Sequence, residues 1–593
     1  MTGAAENLLQ IRSAMQTAGI DACVIPSTDP HLGEEVADHW KIITWLTGFT
    51  GSSATVVITG SFAGLWTDSR YFLQAEKELG GSAFRLIRPD TGAWNDYLEF
   101  LYESLEAGNK VGLDGRTLSM SQFRNLAGRL KKKSIIIDTG CDLVTEIWTG
   151  RPALPASRAL DHKIEFSGKT RERKLTEVRE QMKVKGVKWQ LMTSREDIMW
   201  LLNIRGNDLK FSPLLDSFAL AGEEQVILFA DETRFPPALA SEFDSLGVVI
   251  LPYGEAWDII PTITENSAVL ADPFTTPAML FNSVAARSEI TEDISIPSRL
   301  KAIKNKTEIS NLARVMINDG TALVKFLFWL DSTPGRESLS EKGLAEKILE
   351  FRSGQKDFLG PSFQTIVAFN QNSALPHYAP SGTSDSPIAG DGILLIDSGG
   401  QYPGGTTDIT RTVAVGVPAA RQIRDFTLVL KGHIRLARIK FPLGTRGHQL
   451  DILAREALWA DGLNFGHGTG HGIGFFLNVH EGPQSISPAD NRNIISPGMV
   501  LSNEPAIYRE GQYGIRTENV LICYEDEETE FGRFLKFDTI SLCHIDKTLI
   551  DKSLLNWEEI SWINSYHTDV YDKISPFLTD DEKKWLREKT EPL

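Results

Sequence analysis

Ten residues, Phe465-Gly-His-Gly-Thr-Gly-His-Gly-Ile-Gly474, place five glycines around two histidines four positions apart. That histidine spacing would suit a zinc-binding helix, but each glycine costs a helix about 1 kcal/mol relative to alanine. The chain also has no His-Glu-x-x-His pattern. His467 and His471 are therefore presented by extended or irregular backbone that something approaches closely. With His480, three of the eleven histidines fall in this short stretch, a concentration that points to chemistry rather than packing.

Carboxylates surround this segment in the sequence. Asp397 ends the apolar run Ile393-Leu-Leu-Ile396, and Asp408 opens the next β run after a loop containing Gly399, Gly400, Gly404 and Gly405. A hairpin would place both carboxylates at the loop base, within reach of one or two cations. Further on, Met499 to Tyr508 and Tyr513 to Ile522 read as paired strands around the turn Arg509-Glu-Gly-Gln512. They carry Glu504 and Glu518 among apolar neighbours. A buried carboxylate costs several kcal/mol unless it is paired or bound to a cation. Two divalent ions would balance the four carboxylates. Oxygen-rich ligation with one imidazole favours Mn²⁺, with Co²⁺, Fe²⁺ or Zn²⁺ as alternatives, and the reaction class expected is two-metal hydrolysis.

The remainder of the chain frames this constellation. At about 150 residues per domain, 593 residues give roughly four units or fewer. The formal charge of −17 argues against nucleic-acid and membrane partners. Cys23, Cys141, Cys523 and Cys543 form no Cys-x-x-Cys pair and read as reduced. The N-terminus shows no signal-peptide pattern, so a cytoplasmic location is expected. Seams are expected at Thr149–Ser157 and near Ile296-Pro-Ser298. Between them Asp197-Ile-Met-Trp-Leu201 echoes Lys41-Ile-Ile-Thr-Trp-Leu46, and each is followed by a β-rich run. These echoes predict a duplicated α/β unit. A helix is expected to open at Thr307-Glu-Ile309, and an amphipathic helix of packing function near Trp557–Val570, closing on Trp585.

Together, Asp397-Ser-Gly-Gly-Gln-Tyr-Pro-Gly-Gly-Thr-Thr-Asp408, His467-Gly-Thr-Gly-His471, Asn503-Glu504-Pro and Gly514-Ile-Arg-Thr-Glu518-Asn resemble aminopeptidase P, the three-domain cytosolic Xaa-Pro aminopeptidases of the pita-bread metallopeptidase superfamily. Trp66-Thr-Asp-Ser-Arg-Tyr-Phe72 and Trp562-Ile-Asn-Ser-Tyr-His567 extend the likeness over nearly the whole chain. The resemblance implies an α/β (α+β) fold: creatinase-like domains at 1–155 and 156–303, then a pita-bread catalytic domain with a C-terminal extension at 304–593. It implies two metal ions on Asp397, Asp408, His471, Glu504 and Glu518, with Asp408 and Glu518 bridging. His377, His480 and Glu504 become catalytic, and Arg70, His377, His467, His471 and His480 contact substrate. Peptides with proline second become substrates, and a homodimer is expected. His31 matches a family-like segment without an assignable role. Gly400 and Gly404 stand where relatives often carry larger residues, which questions the rigidity of that loop.

Four other readings differ in testable ways. A prolidase shares the ligands but precedes them with a single domain. A methionine aminopeptidase matches neither the long N-terminal half nor the Arg516 neighbourhood. A non-enzymatic pita-bread binder or a metal-free creatinase would not need all five ligands.

Overall fold

The computed structural model describes residues 3–88, 96–333, 339–378 and 385–593. Two compact units emerge, one formed by Met1–His162 with Lys169–Arg299, the other by Lys163–Gly168 with Leu300–Leu593.

The first unit contains two six-stranded sheets. One uses β1 (Ala22–Pro26), β2 (Ala54–Thr59), β3 (Ala63–Thr67), β4 (Arg85–Ile87), β5 (Lys110–Gly112) and β6 (Ile136–Asp138) in the order β4-β3-β2-β1-β5-β6. The other uses β7 (Trp189–Met192), β8 (Phe218–Gly222), β9 (Val226–Phe229), β10 (Val248–Leu251), β11 (Ala268–Ala271) and β12 (Glu289–Glu292) in the order β10-β9-β8-β7-β11-β12. The two orders are the same, and so is every pairing direction: the first strand is antiparallel to the second and parallel to the fifth in both. Trp45 and Trp200 lie in corresponding helices, α1 (Ile42–Thr47) and α2 (Arg195–Leu201), each between the first and second strand of its sheet. The echo in the sequence is thus a duplication of topology.

His31 is a buried core residue of this unit. Its Nδ1 lies 2.9 Å from the Thr193 carbonyl and its Nε2 2.9 Å from the Tyr253 hydroxyl, with Phe218 stacked on the ring. Beside it Arg195 is buried between Asp29 and Asp216. Burial, with the Arg195 charge next in weight, pushes the His31 pKa down to about 3. The imidazole is a neutral tie between the duplicated halves, which is why no chemistry could be assigned to it.

In the second unit, α3 (Lys306–Ser332) is opened by a reciprocal cap: Asn305 accepts from Thr307 and Glu308, and Glu308 accepts from the Asn305 N–H. Such a cap stabilises a helix by about 1 kcal/mol. The expected seam near Ile296–Ser298 falls in the first turn of a helix, Ile296–Ala302, and the two units divide within that helix, between Arg299 and Leu300. Pro297 is tolerated there because the first helical N–H groups have no partner in any case.

Three sheets build the site. In the first, β13 (Ile366–Phe369), β14 (Gly392–Ser398) and β15 (Ile409–Val415) run antiparallel. The second orders β16 (Lys440–Pro442), β17 (Gly470–Gly472), β18 (Glu481–Ile486), β19 (Val500–Asn503), β22 (Asn519–Thr529) and β23 (Gly532–Thr539) as β16-β23-β22-β19-β17-β18. The third is the hairpin of β20 (Ala506–Arg509) and β21 (Tyr513–Arg516). Two helices follow at the C-terminus, α4 (Trp557–Ile574) and α5 (Asp580–Thr590).

The expectation of two continuous strands carrying Glu504 and Glu518 is corrected here. Asn503 pairs with Asn519 in one sheet and Ala506 with Arg516 in another. Pro505, which cannot donate to a ladder, sits at the break. Both glutamates therefore lie at a kink between sheets. The loop after Asp397 is itself ordered: Gly400–Tyr402 pairs with Gly360–Pro361 and Gly405–Thr406. A Cβ on Gly404 would come within 3.1 Å of Val315 of α3, so the small residues questioned above are seats for packing.

Candidate metal centre

Asp397 and Asp408 are carried by the expected hairpin. β14 and β15 pair with Asp397 opposite Thr410, and Asp408 immediately precedes β15. The glycine alternation around His471 has a steric cause. A Cβ on Gly470 would sit 2.0 Å from the Ser502 carbonyl oxygen, and one on Gly472 would sit 2.1 Å from that of Glu481. β17 is thus pressed between β18 and β19 with no room for side chains flanking His471. A register shift between His471 and Gly472 accompanies this packing, and bulges of this kind re-aim side chains beside functional sites.

Asp408, His471 and Glu518 each offer a ligand atom, all within 4.8 Å of one another. His471 Nε2 lies 3.4 Å from Asp408 Oδ2 and 3.4 Å from Glu504 Oε1. Its Nδ1–H donates to the Gly472 carbonyl at 2.9 Å, which leaves Nε2 as the ligating nitrogen. Thr410 Oγ1 donates to Glu518 Oε2 at 2.7 Å, and Ser502 Oγ donates to Glu504 Oε1 at 3.2 Å. Asp397 Oδ2 accepts from Arg516, whereas Asp397 Oδ1 is buried among the described residues with no hydrogen-bond donor.

The electrostatics agree with the geometry. Burial, against the opposing pull of Arg516 and with Asp408 repelling, pushes the Asp397 pKa up to about 6. Burial and then repulsion from Asp408, Glu504 and Asp397 raise Glu518 well above the usual carboxylate range. Burial lowers the pKa of His471, but the hydrogen bond to Asp408 and the Glu504 charge outweigh it and raise the pKa to about 9. A nitrogen lone pair facing two carboxylates needs a positive charge between them. An orphaned Asp397 oxygen, strained carboxylates and an imidazole preset by its other nitrogen fit hard divalent cations on all five side chains.

The other residues expected here distribute as follows. The His480 ring stands edge-on to His471, with centroids 4.3 Å apart. His467 points its Nε2 to the Tyr508 hydroxyl at 2.9 Å, and burial lowers its pKa. His377 is half-buried in the turn after Asn370–Ala374, and the carbonyl of the preceding Pro376 accepts from Arg516 at 3.5 Å. Arg70 belongs to the first unit, where its Nη2 lies 2.8 Å from Asp68 and its Nη1 3.7 Å from Glu34. Sequence reasoning did not single out Tyr508 or Thr410, and used Arg516 only as a point of family comparison. Arg516 joins Asp397, Tyr508 (2.5 Å) and Thr410 (3.2 Å). An arginine two residues before Glu518, inside a β run, was the available signal.

This is the site of a metallopeptidase. Residues 311–525 match the model of metallopeptidase family M24, residues 8–142 and 150–308 match creatinase/prolidase N-terminal domains, and residues 533–593 match the C-terminal region of peptidase M24. The chain is 36% identical to Xaa-Pro aminopeptidase 1 of Dictyostelium discoideum, over 98% of this chain and 96% of that one. The crystal structure of an X-prolyl aminopeptidase from Caenorhabditis elegans, described as a cytosolic enzyme with a di-nuclear active site, matches with a TM-score of 0.94 at 36% identity and covers 100% of both chains. A prolidase from Thermococcus sibiricus shares the fold over 64% of this chain, with a TM-score of 0.51 at 24% identity. The chain belongs to the Xaa-Pro aminopeptidases of metallopeptidase family M24.

Proposed function

We propose that the protein is a two-metal aminopeptidase that hydrolyses the bond between an N-terminal residue and a following proline. The observation that carries this reading is the convergence of buried Asp408 and Glu518 and partly buried Glu504 on His471 Nε2, with an Asp397 oxygen that has no partner among the described residues. Those five residues would hold two divalent ions, Mn²⁺ by preference. When bound, the ions would act as Lewis acids and make water at the site more acidic. The division into 1–155, 156–303 and 304–593 belongs to the same proposal, as do a homodimer and a cytoplasmic location.

The side chains then have distinct tasks. Glu504, oriented by Ser502, takes the proton of the attacking water and delivers it to the proline nitrogen. A proline nitrogen carries no N–H, so recognition rests on the shape of the pocket and on donors to the carbonyl. His480 and His377 supply those donors and stabilise the charge that develops on the carbonyl oxygen. His467, kept neutral by burial and aligned by Tyr508, contacts the peptide, and Arg70 would reach it from an N-terminal domain of the same or a neighbouring subunit.

Titrating the metal-stripped protein with Mn²⁺ tests the reading, with two ions per chain expected. Turnover of an Xaa-Pro-Xaa tripeptide well above that of the Xaa-Pro dipeptide is expected as well. Preference for the dipeptide would make the protein a prolidase, and metal binding without turnover would make it a binder.

A further inference from the structure

The C-terminal helix α4 reaches the backbone of the metal centre through two buried chains of contacts. Arg411, on β15, is 2% exposed. Its Nη1 donates to the carbonyls of Thr410 (2.9 Å) and Glu518 (2.7 Å). Its Nη2 donates to Asn519 Oδ1 (2.8 Å), to the Cys543 carbonyl (2.7 Å) and to the hydroxyl of Tyr566 (2.7 Å), which lies 155 residues further along the chain. These acceptors are all neutral. A buried cation without a bonded carboxylate is costly, and what offsets the cost here is this full set of neutral acceptors, the Tyr566 hydroxyl among them.

The second chain runs parallel. Tyr566 stacks on Trp562 with centroids 5.2 Å apart and planes within 4°. Trp562 meets His433 edge-on at 5.8 Å. His433 Nδ1 donates to the Asn503 carbonyl at 3.1 Å, Asn503 Nδ2 donates back to the His433 carbonyl at 2.9 Å, and Asn519 Nδ2 donates to His433 Nε2 at 3.0 Å. Asn503 immediately precedes Glu504, and Asn519 immediately follows Glu518. The residues flanking both glutamates at the sheet break are therefore bonded to His433, on the helix Ala420–Arg438, which α4 meets through Trp562, in a region where Pro505 interrupts the ladder.

We propose that Tyr566 is a positioning residue for the metal centre, holding Glu518 through Arg411. The inference rests on the two-metal reading above. It gives the C-terminal extension a task beyond packing: it supplies the support that the interrupted sheets cannot give. Metal ligands depend on such outer partners, whose loss typically weakens metal binding 10–100-fold.

The test uses the full-length, metal-stripped chain and Mn²⁺ as the probe. In Y566F the ring and its stacking remain and the hydroxyl is gone. Calorimetric titration is expected to show Mn²⁺ bound about tenfold more weakly than in the wild type. After saturation with Mn²⁺, KM for the tripeptide should be unchanged. V570A, a cavity in the same helix, should lower the melting temperature of the metal-free protein while leaving the Mn²⁺ Kd at its wild-type value. W562L, which loosens the seat of the Tyr566 ring, should weaken Mn²⁺ binding several-fold and serves where Y566F is insoluble. Wild-type Mn²⁺ affinity in Y566F, or an equal loss in V570A, would overturn the proposal. Failure of the wild-type protein to bind two Mn²⁺ would overturn the underlying metal reading instead, and would show before any variant is made.

Discussion

Asp397 shows at the scale of one residue how this centre is built. One oxygen is satisfied by Arg516 and the other has no donor among the described residues, an arrangement that costs free energy unless a cation completes it. His480 is the residue whose chemistry separates most cleanly from ligation. His480→Ala is expected to bind Mn²⁺ with wild-type stoichiometry while kcat falls about 10²–10³-fold, the usual effect of removing one donor to a developing oxyanion. Unchanged kcat would remove that role. That Asp408, His471 and Glu518 would converge was legible because carboxylates within apolar runs and histidines among glycines have few alternative explanations. Tyr508 and Thr410 were not, because a tyrosine or threonine in a strand is ordinary until its partner is known. His31 could not be read at all: nothing local distinguishes a neutral core imidazole from a functional one.

At the scale of elements, the decisive features are breaks and bulges, which composition does not reveal. Alternation predicted strands around Glu504 and Glu518, but register between non-neighbouring strands decides that Asn503 and Ala506 join different sheets. The strand β18 is held beside His480 by a buried ion cluster, with Lys304 Nζ 2.6 Å from Glu481 Oε1 and Lys301 Nζ 3.5 Å from Oε2. Glu481→Ala would leave two lysines buried without their counter-ion. A loss of about 3–5 kcal/mol in unfolding free energy is expected from denaturant titration. A change below about 1 kcal/mol would mean that the strand is held by its ladder alone.

Across the whole molecule, the duplicated sheets were visible as an echo of helix followed by strand, while their shared strand order needed the fold. Buried histidines make the molecule acid-sensitive. Burial is the leading cause that lowers His31, His544 and His567 to about 3, and His567 Nε2 accepts from the Ile545 N–H, which requires the neutral ring. Each binds fewer protons folded than unfolded, so stability is present above the unfolded pKa of about 6.5 and declines as pH falls below it. At pH 5 the decline is about 2 kcal/mol per histidine. The melting temperature of the metal-free protein should therefore drop steeply between pH 7 and pH 5, and a flat profile would contradict this assignment.

The central claim is that these side chains hydrolyse the bond before proline with bound metal. Its most direct test is release of the first residue from an Xaa-Pro-Xaa tripeptide and its Xaa-Ala-Xaa analogue by the Mn²⁺-reconstituted protein, with Glu504→Ala alongside. Cleavage of the proline peptide alone, abolished in Glu504→Ala, is the predicted result. Equal cleavage of both peptides, or full activity in Glu504→Ala, would contradict it.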